Sequence, residues 1–563
     1  VRLRLFVGLA LFFLLIAVSL SVVLNGSALF AGASAPGRNP SAPTPTGSNK
    51  IIRENALLGT TSWQIPQGKA ATTQIQAYAN ATSVAQEEKL SFYVSTLFEG
   101  TPYWLSIYRL GWYGGYGGRL LYTSSEQIGH AQGYFDEKTH QLVNCTSCLI
   151  DSTTGLVEAR WNISFTLTIP SGWITGVYLA KFTDAKGMQT YVPFDVRDNS
   201  ASTYLVATPD TTYAAYNDWG GYSLYEQANG LFSEGDTTAR GVKVSFDRPY
   251  TQEAGSSQVL VFEANAIRWF ERQGYDLSYI SDIDLQHDPS QVLHHHAYIS
   301  LGHDEYWSKE MRDGLEQARN SGVGLAFLGA DDGYWQIRFE PDKAGVPDRT
   351  VVCYKVETIH HDLARDPFYG VDNSRLTTAW RDPVLSRPEN ALIGIMYDDL
   401  THLRLGFPWQ IDPASTSPLL AGTGLTTGVA YGCDIVGYEW DRIFNNGSTP
   451  PGLQVIATSH TANDAGTQSF SNTAYYIASS GALVFAAGSI YWTNALDSYR
   501  LHNDPLCTSQ SRVVHGIQQL MAHVMAALAV LHPNHQVAFA SRTPGFSTVA
   551  INEAQDRREQ SHA

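Results

Sequence analysis

The chain has 563 residues, of which 44% are apolar and 12% aromatic, enough to build two or three packed domains. Its net charge of −16, with no long basic block, argues against a nucleic-acid partner, because binding phosphate needs a positive footprint. Charged residues make up only 16% and glycines number 48, which fits a strand- and loop-rich protein.

In chain order, Arg2 and Arg4 precede an uncharged run over 5–24 that is long enough to span a bilayer. Small residues at cleavage-like spacing follow, Ala31-Gly32-Ala33 and Ala33-Ser34-Ala35. Residues 1–35 therefore read as a signal peptide or an uncleaved anchor, with the remainder exported. The expected location is extracytoplasmic, secreted or anchored, and membrane contact is expected only through this segment. Residues 36–50 are a Pro/Ser/Thr linker too polar to fold.

From 51 to 198 short alternating segments such as "KLSFYVST" and "WLSIYRLG" predict a β-sandwich. The stretch "YRLGWYGGYGGRLL" (108–121) interleaves five glycines with Trp112, Tyr113 and Tyr116. It reads as a bulged strand and tight turn, or as a carbohydrate-stacking platform. The cysteines are Cys145, Cys148, Cys353, Cys433 and Cys507. "CTSC" lacks the second pair or nearby histidines of a zinc site, so a small local disulfide is the better reading.

From 199 to 540 the period changes to that of an α/β domain. "TYLVAT" (203–208), "LSYIS" (277–281), "AYISLG" (297–302) and "VGLAFLGA" (323–330) read as buried strands. Helical spacing appears over 264–276, 309–320 and 511–532, with a short helix at "DPSQVLHH". Ser308 is the expected N-cap of the 309–320 helix and Gly322 its stop. Strands alternating with helices predict a mainly parallel sheet. "RTVVCYKV", "ALIGIMYDD" and "GALVFAAGSIYW" read as strands of β-rich C-terminal additions, and 541–563 as a loose tail.

In open parallel sheets ligands bind beyond the carboxyl ends of the strands. Four strand ends here carry aromatic, acidic or imidazole side chains: "HDEYW" (303–307), "DDGYW" (331–335), "YAAYNDWGGY" (213–222), and Asp282 with Asp284. Any one is an ordinary turn; together they outline a rim.

The segments "WFERQGYDLSYISDIDL", "LGHDEYWSKEMRDGLEQARNSGVGLAFLGADDGYWQIRF", "RTVVCYK", "VGYEWDR" and "FAAGSIYW" together resemble the large (β) subunit family of N,N-dimethylformamidase, in its C-terminal domain. "YRLGWYGGYGGRLL" and "AYNDWGGYSLY" also match forms common there. The fold expected is α+β and multidomain: an N-terminal β-sandwich, then an α/β domain of flavodoxin or glutamine-amidotransferase type. The resemblance implies an amidohydrolase that cleaves a small amide or formamide using mononuclear iron, Fe3+, held by two tyrosines and a glutamate. Carried onto the motifs, these ligands are Tyr306 from "HDEYW", Tyr334 from "DDGYW" and Glu439 from "GYEWD". The family usually has Asn where this chain has Asp331. A homo-oligomer or a small accessory subunit are further expectations.

The chemistry is coherent on its own terms. Phenols near pKa 10 become ligands only where a Lewis-acidic cation stabilises the phenolate. Phenolates and a carboxylate are hard donors that suit ferric iron. His303 or Glu305 would act as general base, and Asn217 would orient the carbonyl oxygen. Each residue also has a plain structural role open to it. Tyr306 and Tyr334 can anchor the sheet edge, Glu305 can cap a helix, and His294–His296 can be a solvated loop. The competing functions are a non-catalytic carbohydrate-binding surface protein, with sequons at Asn80, Asn144, Asn162 and Asn446, and a glycoside hydrolase using Glu305 and Glu439.

Overall fold

Side chains that alternate between two faces build the first half of the chain. Along Lys89–Thr96, Leu90, Phe92 and Val94 are buried, while Lys89 is exposed and Ser91 and Tyr93 lie between the extremes. This strand sits between Ile75–Ala79 and Phe165–Thr168 in an antiparallel sheet. A second sheet orders Ser83–Ala85, Gln189–Arg197, Gly176–Asp184, Pro102–Leu110 and Gly118–Thr123, with Gln127–Ile128 on the Pro102 strand. Leu90 and Phe92 of the first sheet share one core with Leu105, Ile107, Phe182 and Phe194 of the second, a sandwich arrangement.

The structure is a computed structural model that describes residues 49–198, 200–225, 240–403, 405–501 and 512–530. The expected signal or anchor segment, nearly all of the linker and the C-terminal tail lie outside the described residues. Among the described residues no helix is long and apolar enough to cross a membrane. The expected local disulfide is formed between Cys145 and Cys148, with Cα atoms 5.4 Å apart.

The glycine-rich stretch is a tight turn. Gly114 and Gly115 take φ of 66° and 99°, values that a side chain disfavours. Tyr113 is buried, and Arg268 and Arg272 lie 5.2 and 5.1 Å from the ring of Trp112. These two rings cover backbone and guanidinium groups, and Tyr116 is exposed.

The second half is organised by a seven-stranded sheet. Leu277–Ser281, Tyr204–Thr208, Ala297–Gly302, Gly324–Gly329 and Leu483–Ala486 lie side by side and parallel. Gln468–Ile477 and Gln454–Ala462 extend it antiparallel, so the sheet is mixed. Every residue of the five parallel strands is buried, which is why their sequences read as continuous apolar runs. The helix Lys309–Asn320 buries Met311, Leu315 and Ala318, and the Ser308 hydroxyl accepts from the Met311 N–H at 3.1 Å. The helices Ala264–Gln273 and His515–Leu528 form within their expected spans.

Three apolar runs are shorter strands than their composition predicts. "ALIGIMYDD" opens as the helix turn Asn390–Ile393 before the strand Met396–Leu400, with Gly394 at φ 99° between them. "RTVVCYKV" is a strand only over Thr350–Val352, and "GALVFAAGSIYW" only over Leu483–Ala486 before the 3-10 turn Ile490–Ala495.

Candidate active site

The strands Tyr204–Thr208, Ala297–Gly302 and Gly324–Gly329 are neighbours and parallel, so the segments that leave their carboxyl ends are brought together. The first continues into the helix Asp210–Tyr216, the second into His303–Glu305, the third into Asp331–Tyr334. Glu439 joins them from the strand Glu439–Arg442, where Trp440 bridges to Ser489 and the Ser489 N–H donates to the Gly329 carbonyl at 2.8 Å. Together they line a cavity of about 400 Å3 whose walls include Tyr216, Tyr225, Glu305, Asp331, Tyr334 and Glu439.

His303 is fully buried, and its Nε2 lies 3.2 Å from Oε2 of Glu305 and 3.2 Å from Oε2 of Glu439. Burial disfavours the imidazolium, but Glu439 and Glu305 outweigh it and raise the pKa to about 10. Glu305 has its other oxygen engaged: Oε1 accepts from the Tyr225 hydroxyl at 2.6 Å and from the Trp335 indole at 2.8 Å. Burial works to raise its pKa, yet His303 and Lys355 hold it below the ordinary value. The Tyr216 hydroxyl donates to that of Tyr225 at 3.1 Å, and their rings stack at 4.4 Å. Burial, then the Glu305 carboxylate, push both phenols well above their usual range. Tyr216, Tyr225 and Glu305 are thus a contiguous set of two phenols and one carboxylate.

A second grouping overlaps this one. One donor atom each from His303, Asp331 and Glu439 lie within 4.8 Å of one another, an arrangement that could hold a metal ion. Asp331 sits at φ 59°, a left-handed conformation that Asp and Asn tolerate better than most residues. Burial, then the Glu305 and Glu439 carboxylates, hold its carboxyl well above the usual range. Its Oδ1 is buried without a hydrogen-bond partner, as is Nδ1 of His303. A site that crowds buried carboxylates together and leaves buried polar atoms unanswered has the electrostatics and the donors to receive a cation.

The residues expected from the sequence separate accordingly. Glu305 and Glu439 line the cavity and meet at His303, which is fully buried, and Tyr334 is in the cavity wall, its ring 4.8 Å from the Arg381 guanidinium. Tyr306 is fully buried behind the wall, where its hydroxyl pairs with Tyr225 at 2.5 Å and accepts from Lys355 at 3.0 Å. Residues Tyr306–Ser308 form a strand paired with Trp335–Ile337, which turns the Tyr306 ring into an apolar cluster. Asn217 does not line the cavity. Its Nδ2 donates to the Pro249 carbonyl at 2.9 Å and its Oδ1 accepts from Trp219 and Thr251 N–H groups at 3.3 Å, so it ties loops together below Tyr216. Asp282 and Asp284 are also structural: Asp282 accepts from Thr211, and Asp284 closes a capping box with Ser281 and bonds Ser83. Nothing in the sequence pattern singles out Tyr216 and Tyr225, although "AYNDWGGYSLY" contains both. His303 stands between Glu305 and Glu439, so these two do not form the open carboxylate pair of a glycoside hydrolase.

A mixed α+β chain with an acidic, tyrosine-lined cavity at the carboxyl ends of its parallel strands is the class that fold and site define. The chain belongs to the N,N-dimethylformamidase beta subunit-like, C-terminal family, whose match runs over residues 104–505. No curated protein matches it. Among solved structures, a cycloisomaltooligosaccharide glucanotransferase from Paenibacillus sp. is 15% identical over 25% of this chain and 17% of its own, with a TM-score of 0.13. Two superoxide reductases (neelaredoxins) from Ignicoccus hospitalis are each 12% identical, covering 22% and 25% of this chain and 77% and 93% of theirs, with TM-scores of 0.12 and 0.14.

Proposed function

We propose that the chain is a metal-dependent amidohydrolase acting on small amides or formamides, with iron held by Tyr216, Tyr225 and Glu305. The observation that carries this reading is the contact chain Tyr216–Tyr225–Glu305 in a cavity that also presents Glu439, with His303 buried against both carboxylates. The family implies two tyrosines and one glutamate as ligands, and these three residues supply that donor set from the cavity lining, to which Tyr306 does not belong. Ferric iron would supply Lewis acidity, stabilising phenolates and polarising an amide carbonyl. The residues supply the rest. His303, between two carboxylates, stores a proton at Nε2 for the departing amine, and Glu439 is the base placed to exchange it. Trp335 holds the Glu305 carboxylate in orientation.

The parallel strands run 2-1-3-4-5 in chain order. We read this as a doubly wound core of flavodoxin type, whose ligands bind at the switch point between its first and third strands. Tyr216 and His303–Glu305 leave those two strands. Export of the chain is a further part of the proposal, and the Cys145–Cys148 disulfide supports it, since such bonds persist in oxidising compartments.

The test is metal content and visible absorbance of the purified chain, then formate release from simple formamides. Tyr225→Phe and Glu305→Gln are each expected to lower iron affinity by more than about 100-fold, beyond what loss of an outer contact costs, and to bleach a tyrosinate band. Colourless, iron-free protein from iron-replete cells would refute the reading.

A further inference from the structure

One wall of the same cavity carries two basic side chains. Arg240 and Lys355 both line it, 8% and 1% exposed. Among the described residues, neither has a carboxylate within ion-pair distance, whereas Arg109, Arg268, Arg338 and Arg349 each do. The Nη2 of Arg240 is buried without a hydrogen-bond partner. Arg248, by contrast, is a fully buried guanidinium that donates to four backbone carbonyls, those of Ser245, Trp219, Tyr222 and Asn217. Arg240 is not satisfied in this way. A buried guanidinium left short of acceptors is costly unless a ligand completes it.

This basic wall adjoins the one formed by Tyr225 and Glu305. The Lys355 amine lies 3.7 Å from the centre of the Tyr225 ring, and the hydroxyl of that same ring is 2.6 Å from Glu305. A cavity of about 400 Å3 is in the range of pockets that enclose drug-sized ligands, and far exceeds a dialkylformamide.

We propose that Arg240 and Lys355 form a carboxylate subsite, so that the substrate is an N-acyl or N-formyl amino acid rather than a neutral dialkylamide. This rests on the amidohydrolase reading of the adjoining wall. The carboxylate would complete the Arg240 fork and accept from Lys355, leaving the amide a few bonds away, across the Tyr225 ring, beside Glu305.

The test uses the full iron-loaded chain and a non-hydrolysable probe, N-methylsulfonylglycine, against its neutral methyl ester. Calorimetry is expected to show the acid binding at least about tenfold tighter than the ester, the range in which truncating a buried charge partner acts. Arg240→Met should abolish that preference and Arg240→Lys should retain most of it. Equal affinity for acid and ester in the wild-type chain, or an undiminished preference in Arg240→Met, overturns the subsite; the wild-type comparison decides even if a variant fails to fold. Formate release from N-formylglycine is measured separately. An acid preference without hydrolysis sustains the subsite and removes the amidase reading. Hydrolysis of neutral formamides without an acid preference does the reverse.

Discussion

Arg109 and Glu271 are both largely or wholly removed from water, and so are His303 and Glu305, but the two clusters are finished differently. The guanidinium of Arg109 meets Glu271 twice, at 2.6 and 2.8 Å, and spends further N–H groups on the Thr175 and Leu110 carbonyls. Glu271 in turn accepts from Tyr279 and Asn55. Donors and acceptors balance, and the pair rivets the strand Pro102–Leu110 to the helix Ala264–Gln273. Around His303 they do not balance. One imidazole serves two glutamates, burial and those glutamates push the Asp331 carboxyl well above its usual range, and buried polar atoms stay unanswered. Folding alone explains the first cluster; the second keeps capacity for something that is not part of the chain.

The sharpest way to break this contrast is at His303. His303→Gln preserves volume and hydrogen bonding but cannot carry the proton. Turnover is expected to fall about 100- to 10,000-fold, with iron per chain unchanged. Loss of iron together with activity would make His303 a ligand instead. The rivet should answer in the other currency. Arg109→Met leaves Glu271 buried and uncompensated, so urea unfolding is expected to show a loss of about 3–5 kcal/mol. The variant that remains folded should bind iron as the parent does. An iron defect without a stability defect would erase the distinction between the two clusters.

Much of this was legible before any coordinates. The apolar runs over 203–208, 277–281, 297–302 and 323–330 announce strands buried on both faces, and Ser308 announces the helix start. The rule that ligands sit at strand ends pointed to the segments that carry Glu305 and Tyr334, both of which line the cavity. The choice among neighbouring aromatics was not legible. In "HDEYW" consecutive side chains point to opposite sides once the chain becomes extended, so Glu305 faces the cavity and Tyr306 the apolar cluster behind it. Which side is which depends on the pairing of Tyr306–Ser308 with Trp335–Ile337, a contact between segments nearly thirty residues apart. Tyr225 is harder still, because its place depends on the loop that follows Asn217 folding back over the sheet, held by Arg248.

The smallest expected effect discriminates most finely between the two donor groupings. Asp331→Asn keeps a side chain that tolerates the φ of 59° at this position. Burial and the Glu305 and Glu439 carboxylates already disfavour the ionised form of Asp331, so the amide removes a charge that the site resists. The unfolding free energy is expected to stay within about 1 kcal/mol, the worth of a single hydrogen bond. If Tyr216, Tyr225 and Glu305 hold the metal, iron content and the tyrosinate band persist in this variant. If the metal instead lies among His303, Asp331 and Glu439, an amide oxygen is a poorer ligand than the carboxylate a bound cation would generate, and iron is lost while the fold is intact. Iron stoichiometry and absorbance on one variant therefore assign the metal to the phenol side or the imidazole side of the same cavity.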